Sequence, residues 1–96
     1  MAWRLSRAAE DDVVRIHRHS ASLFGYDHAD AYVRGLEAIF RFLCENPRAA
    51  RERLEIEPPV RVHPYSAHVV IYVLDADGVL IVRIRHARED WLSDPD

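Results

Sequence analysis

The chain has 96 residues, of which 49% are hydrophobic and 30% charged, and its formal net charge is −3. This length and composition predict one folded domain, residues 1–96, with residues 91–96 expected to form a flexible tail. All 13 basic residues are arginine, which excludes lysine as a catalytic base, Schiff-base former or phosphate ligand. The acidic balance excludes nucleic-acid binding driven by net charge alone.

Targeting, membrane and disulfide signals are missing from the sequence. No apolar run approaches the roughly 20 residues of a membrane span, and residues 1–7 lack the apolar stretch of a signal peptide. The single cysteine, Cys44, cannot form an internal disulfide or anchor a cysteine-based zinc site. We therefore expect a cytoplasmic protein that makes no membrane contact.

Two amphipathic helices are predicted after a short strand at residues 3–5. Ser6 is a good N-cap for the first helix, which ends at Gly25. Asp27 is the predicted N-cap of the second helix, and Pro47 predicts its end. Because the helices are similar in length and closely joined, we expect an antiparallel hairpin. Acidic residues near the start of the first helix suit its dipole: Glu10, Asp11 and Asp12.

The second half of the chain predicts strands. Residues 48–59 form a charged, aperiodic connection, and a strand from Val60 is interrupted at Pro64, which indicates an edge position. Residues 68–74 are apolar on both faces, as in a central strand, and residues 79–85 return after a hairpin turn. The expected fold class is α+β, with a short N-terminal strand, an antiparallel α-hairpin and a three-stranded antiparallel sheet.

The densest basic cluster lies at the end of the last strand and contains Arg83, Arg85, His86 and Arg88. Arginines in this arrangement suit a partner's carboxylate or another anion, and pairing with acids of the same chain is the alternative that the sequence leaves open. The six histidines are too scattered to predict a metal site. No motif for an activated nucleophile or a bound phosphate occurs, and we expect no cofactor.

Four segments of the chain resemble the ParE branch of the RelE/ParE toxin superfamily. They are LSRAAEDDVVRI, GYDHADAYVRGLEAIFRFLCENP, HVVIYVL and IVRIRHARED, and the resemblance covers about residues 3–90. It implies the toxin of a type II toxin–antitoxin pair, held inactive by a ParD-like antitoxin. Such an antitoxin has a ribbon-helix-helix domain and a flexible C-terminal segment that wraps the toxin. Operator DNA would be bound only through the antitoxin.

Two activities occur in this superfamily, and the residues favour one of them. ParE members are associated with inhibition of DNA gyrase, whereas RelE-like members cleave mRNA, usually on the ribosome. The nucleases often carry an arginine where Val69 stands and a tyrosine where Ala87 follows His86, and several use lysine. We therefore predict a non-enzymatic gyrase inhibitor. The alternative is a RelE-like mRNA interferase with His86 and Arg83 as catalytic residues, and a third interpretation is a toxin-like fold without activity.

Two sets of site residues follow from the resemblance, each with a structural role as the alternative. For antitoxin binding we predict two side chains of the second helix and three arginines that would bind carboxylates: Tyr32, Leu36, Arg61, Arg83 and Arg85. For inhibition of the target we predict residues of the C-terminal strand and tail: His86, Arg88 and Trp91.

Overall fold

The structure, a computed structural model, describes residues 2–89 and 91. It confirms the expected α+β fold class, with two helices and five strands in the described residues. In chain order the elements are β1 (Ala2–Leu5), α1 (Arg7–Phe24), α2 (Tyr26–Glu45), β2 (Glu52–Arg53), β3 (Val60–Tyr65), β4 (His68–Asp75) and β5 (Gly78–His86).

The expectation of a three-stranded antiparallel sheet is wrong in detail. The strands form one five-stranded mixed sheet in the order β1-β5-β4-β3-β2. β1 pairs in parallel with β5, and the helical hairpin provides the crossover between them. The missed strand, β2, has only two residues, too few for an alternating pattern to reveal it. β2 pairs only with Val60 and Arg61, so the part of β3 that contains Pro64 does lie at an edge.

The helix ends lie where the capping residues predicted them, except for the start of α2. The Ser6 hydroxyl accepts a hydrogen bond from the Ala9 N–H at 3.0 Å and donates to the carbonyl oxygen of Val82 at 2.6 Å, which ties the start of α1 to β5. Gly25 ends α1 with a φ of 90°, and the predicted N-cap at Asp27 is wrong because α2 begins at Tyr26. A positive φ at glycine lets the chain reverse within one residue.

The sheet has an apolar cluster on each face. The main core lies between the helices and the sheet. A smaller cluster covers part of the opposite face and contains Ile56, Val60, Val62, Ile71 and Trp91. The indole of Trp91 also lies 5.8 Å from the guanidinium carbon of Arg53. Residues 92–96 of the predicted flexible tail lie outside the described residues.

α2 approaches the sheet closely at Gly35. The Tyr65 hydroxyl donates to the main-chain oxygen of Tyr32 at 2.8 Å. A Cβ atom added at Gly35 would lie 2.1 Å from the Tyr65 hydroxyl oxygen, which is well inside van der Waals contact. The tyrosine and the helix can therefore meet only because this position has no side chain.

We predict that Gly35→Ala lowers the free energy of unfolding by about 1–3 kcal/mol, because the methyl group displaces Tyr65. In a Tyr65→Phe background the penalty should shrink, since the clashing oxygen is gone and alanine favours a helix over glycine by about 1 kcal/mol. Urea unfolding followed by circular dichroism measures both effects. An equal cost in the two backgrounds would contradict the proposed clash.

Candidate functional site

A groove of about 400 Å³ lies between the tip of the helical hairpin and the adjoining ends of β4 and β5. Its surface is mainly apolar, and most of its polar groups are imidazoles. We call it the histidine groove, and its lining residues are Arg15, Ile16, His19, Ser20, Leu23, Phe24, His28, Tyr32, Ala67, His68 and His86.

Three aromatic side chains form a connected row on one wall of this groove. His68 and His86 are opposite each other in the β4–β5 ladder, and their rings lie 5.4 Å apart at an interplanar angle of 72°. The Tyr32 hydroxyl oxygen shares a hydrogen bond with Nδ1 of His68 at 2.7 Å. Burial lowers the pKa of His68, and the charge of His86 lowers it further. A pKa lowered in this way favours the neutral form of His68 at pH 7.

A buried ion pair anchors α1 beside the groove. The Asp12 side chain is 0% exposed and accepts hydrogen bonds from Nε and Nη2 of Arg83, at 2.7 and 3.0 Å, and from the Ile84 N–H at 2.9 Å. Arg15 donates to the same carboxylate. Burial by itself raises the pKa of Asp12, but the hydrogen bonds from Arg83, Ile84 and Arg15 outweigh it, so that the pKa lies below its ordinary value.

Asp12 is the principal residue that sequence reasoning missed, because it was interpreted only through the helix dipole. The side chains of Asp12, Ile16 and Ser20 are all buried and follow one another at intervals of four residues. An acid on the inward stripe of an amphipathic helix is the signal that could have identified it. Such a position requires a cationic partner, and the arginines of β5 were the available ones.

The five predicted antitoxin-binding residues fall in different environments. Tyr32 lines the groove, whereas Leu36 is fully buried in the main core and offers no surface to a partner. Nη1 of Arg61 donates to the carbonyl oxygen of Ala50 at 2.6 Å, away from the groove. The remaining two, Arg83 and Arg85, are engaged by acids of the same chain.

Arg85 forms an ion pair with Glu89 at 2.9 Å, and Glu89 also accepts the main-chain N–H of His86 at 2.9 Å. These two contacts lower the pKa of Glu89, and the nearby charge of Arg15 contributes. Intramolecular pairing, which the sequence left open, is thus what the structure shows for both Arg83 and Arg85.

The predicted target-binding residues are divided between two faces. His86 lines the groove, and its Nδ1 accepts the main-chain N–H of Arg88 at 3.1 Å, which places Arg88 on the exposed turn directly after β5. Trp91 is buried in the cluster on the opposite face of the sheet. The two residues considered for a nuclease also have separate partners, since Arg83 binds Asp12 and the His86 ring packs against His68.

Three further observations concern the described residues only. No three His, Cys, Asp or Glu side chains among them converge as a metal site would require. Neither α1 nor α2 is long and apolar enough to cross a membrane. Burial in the core raises the pKa of the Cys44 thiol.

We predict that Asp12→Asn lowers the free energy of unfolding at pH 7 by about 3 kcal/mol, because it removes the buried carboxylate charge that is paired with Arg83. The folded-state pKa of Asp12 lies below the ordinary 3.8. Its stabilising contribution is therefore present above about pH 4 and is lost as the pH falls through the folded-state value. Urea unfolding at pH 7 and pH 3 should show a smaller acid-induced loss in the variant. Asp11→Asn, at the exposed neighbouring position, is the control and should behave like the unmodified chain.

We also predict that NMR titration gives His68 a pKa below its ordinary 6.5. His86→Gln should raise this pKa because it removes a neighbouring positive charge, although burial should still hold it below 6.5. His28→Gln, elsewhere on the groove wall, should leave it unchanged. Equal shifts in the two variants would show that the contact between His68 and His86 has no electrostatic effect.

Comparison with known proteins identifies the family. The family model for the ParE toxin of type II toxin-antitoxin systems matches residues 3–91. Toxin ParE1 of Mycobacterium tuberculosis is 31% identical over 89 residues, 92% of this chain and 91% of that protein. Toxin ParE3 of Caulobacter vibrioides is 29% identical over 86% of this chain and 83% of its own length. A chain of the chromosomal ParDE toxin–antitoxin system from P. aeruginosa has a similar fold, with a TM-score of 0.77, 23% identity and coverage of 90% of this chain and 95% of that one. The chain belongs to the ParE toxin family of type II toxin–antitoxin systems.

Proposed function

We propose that the protein inhibits DNA gyrase by binding to it, without enzymatic activity, and that a ParD-like antitoxin neutralises it. The observation that carries the proposal is the family match, which extends over residues 3–91 and so includes both the histidine groove and the turn at Arg88. Because gyrase acts on the chromosome, the proposed site of action is the cytoplasm. Operator DNA would be reached only through the antitoxin.

The surroundings of the groove support a protein partner. Leu23 and Phe24, at the tip of the hairpin, are 59% and 65% exposed and border the groove. Large apolar side chains exposed beside a concave, mainly apolar surface are typical of protein interaction sites. We place the C-terminal segment of the antitoxin in this groove, where it would contact Tyr32.

The position of Arg88 supports a steric mechanism of neutralisation. Its main chain is hydrogen-bonded to His86, and His86 lines the groove. A segment that fills the groove would therefore lie next to the turn with which we expect the toxin to contact its target. Arg88 is exposed, and arginine is among the residues most often found at energetically important interface positions. Of the predicted target-binding residues, His86 and Arg88 are accessible to a partner, whereas Trp91 packs against the sheet and stabilises it.

The nuclease alternative has less support from the geometry. An arginine that stabilises a phosphorane-like transition state must be able to reach the substrate, but Arg83 is held by the buried carboxylate of Asp12. The arginine that nucleases often carry on the middle strand is replaced by Val69. We therefore propose binding, and not phosphodiester cleavage, as the mode of action.

We predict that the purified chain inhibits negative supercoiling of relaxed plasmid by gyrase and that an equimolar amount of antitoxin restores it. Arg88→Ala should raise the concentration needed for half-inhibition about tenfold, the effect expected when an interface contact worth about 1.4 kcal/mol is lost. Arg48→Ala is the matched control, because Arg48 is also exposed but lies in the connection after α2.

Induction of the toxin alone in cells separates the alternatives. Gyrase inhibition predicts growth arrest with DNA breaks and intact transcripts. Cleaved transcripts together with unaffected gyrase would establish an mRNA interferase and overturn the proposal. Unimpaired growth would indicate a toxin-like fold without activity.

A further inference from the structure

We propose that Arg15 determines antitoxin specificity by binding an acidic side chain of the antitoxin that lies beside a large apolar side chain seated in the histidine groove. This inference rests on the proposed function, since it specifies the partner's chemistry at the same groove.

The first step of the argument is that Asp12 does not need Arg15 to be neutralised. A carboxylate offers about four acceptor positions. Arg83 and the Ile84 N–H already donate three hydrogen bonds to it, and Arg83 supplies one full positive charge. Arg15 is thus a second cation on a carboxylate that is already paired.

The second step concerns the charge around this end of the groove. Asp12 and Glu89 are the acids that bind these cations, and four arginines lie at or next to them: Arg15, Arg83, Arg85 and Arg88. These six residues therefore carry four positive and two negative charges, in a chain whose formal net charge is −3. A local excess of the opposite sign favours a partner that carries carboxylates.

The third step is the position of Arg15. Its side chain is 62% exposed, whereas that of Arg83 is 14% exposed, and Arg15 lines the groove. A guanidinium has five N–H donors, and the contact with Asp12 uses one nitrogen. A partner's carboxylate can bind the remaining donors. The rest of the bound segment would then shield this charge-assisted hydrogen bond from water, and this shielding strengthens it.

The fourth step fixes the kind of partner. Ile16, Leu23, Phe24 and Ala67 form apolar parts of the groove wall, which Arg15 also lines. An apolar wall with one cationic edge fits a peptide segment in which a large aliphatic or aromatic residue has Asp or Glu nearby. A nucleic acid fits less well, because its affinity depends on several phosphate contacts and the groove wall is mainly apolar.

The experiment measures the affinity of the full-length chain for the purified product of the reading frame beside its gene, by isothermal titration calorimetry at low and high salt. Arg15→Gln should weaken binding about tenfold and reduce its salt dependence. Arg18→Gln is the matched control and should change the affinity less than twofold, since Arg18 is on the same helix but lines a different groove. Urea unfolding of both variants confirms that the fold is retained.

Charge reversal then identifies the partner residue. Each acidic residue of the antitoxin's C-terminal segment is changed to Arg and tested against the unmodified toxin, Arg15→Gln and Arg15→Glu. We expect one reversal, next to a large apolar residue, to weaken binding to the unmodified toxin and to restore binding to Arg15→Glu. Should Arg15→Glu unfold through repulsion from Asp12, the same acid must show no further loss against Arg15→Gln.

The outcomes distinguish this inference from the function on which it rests. Failure of the unmodified toxin to bind the antitoxin would overturn the proposed function itself. Binding that is equally strong for Arg15→Gln and Arg18→Gln would overturn only the role of Arg15. The role of Arg15 would also be overturned if Arg15→Gln weakened antitoxin binding but no charge reversal in the antitoxin restored binding to Arg15→Glu or lost its effect against Arg15→Gln. Preferential binding of a labelled DNA duplex through Arg15, or of a second copy of the chain, would overturn it as well.

Discussion

The ion pair between Asp12 and Arg83 is the interaction on which the arrangement of the other elements depends. β1 pairs with β5 only as far as Ile81, so β5 continues beyond its partner strand. Side chains of α1 and its N-cap complete the hydrogen bonds along this open edge: the Ser6 hydroxyl donates to the carbonyl oxygen of Val82, and Asp12 accepts the Ile84 N–H. A buried main-chain donor without a partner is costly. The Asp12 carboxylate therefore accepts the Ile84 N–H, which has no partner strand on this side in the described part of the chain, and also neutralises the charge of Arg83.

This constraint also shapes the candidate binding surface. Because Asp12 holds Arg83 and Glu89 holds Arg85, the two arginines that the basic cluster suggested for a partner are committed within the chain. Among the described residues, Arg15 beside the groove and Arg88 on the turn after β5 are exposed cations at this end. The internal pairs thus reduce the capacity of β5 to bind a partner's carboxylate, and we propose that Arg15 on α1 supplies this capacity while Arg88 contacts the target.

The candidate site was only partly predictable from the sequence. Tyr32, predicted to bind the antitoxin, and His86, predicted to contact the target, both line the groove, and these two roles stay predictions that rest on a family resemblance. Leu36 was assigned to a partner because the apolar face of α2 is broad, but a periodic pattern cannot separate the part that packs on the sheet from the part that borders the groove. The contact between His68 and His86 depends on the register of β4 against β5, and the roles of Asp12 and Arg15 depend on where α1 lies over the sheet.

The sequence by itself determined the features that are encoded within a few residues. These are the cap at Ser6, the reversal at Gly25, the end of α2 before Pro47 and the hairpin between β4 and β5, each of which arises from local backbone geometry and hydrogen bonding. Only the tertiary structure decided the parallel pairing of β1, the two-residue strand β2 and the bond between Asp12 and Arg83, which joins residues 71 positions apart. Contacts at such separation leave no periodic trace in the chain, because their energy comes from burial and charge pairing that exist only after the helices have packed on the sheet.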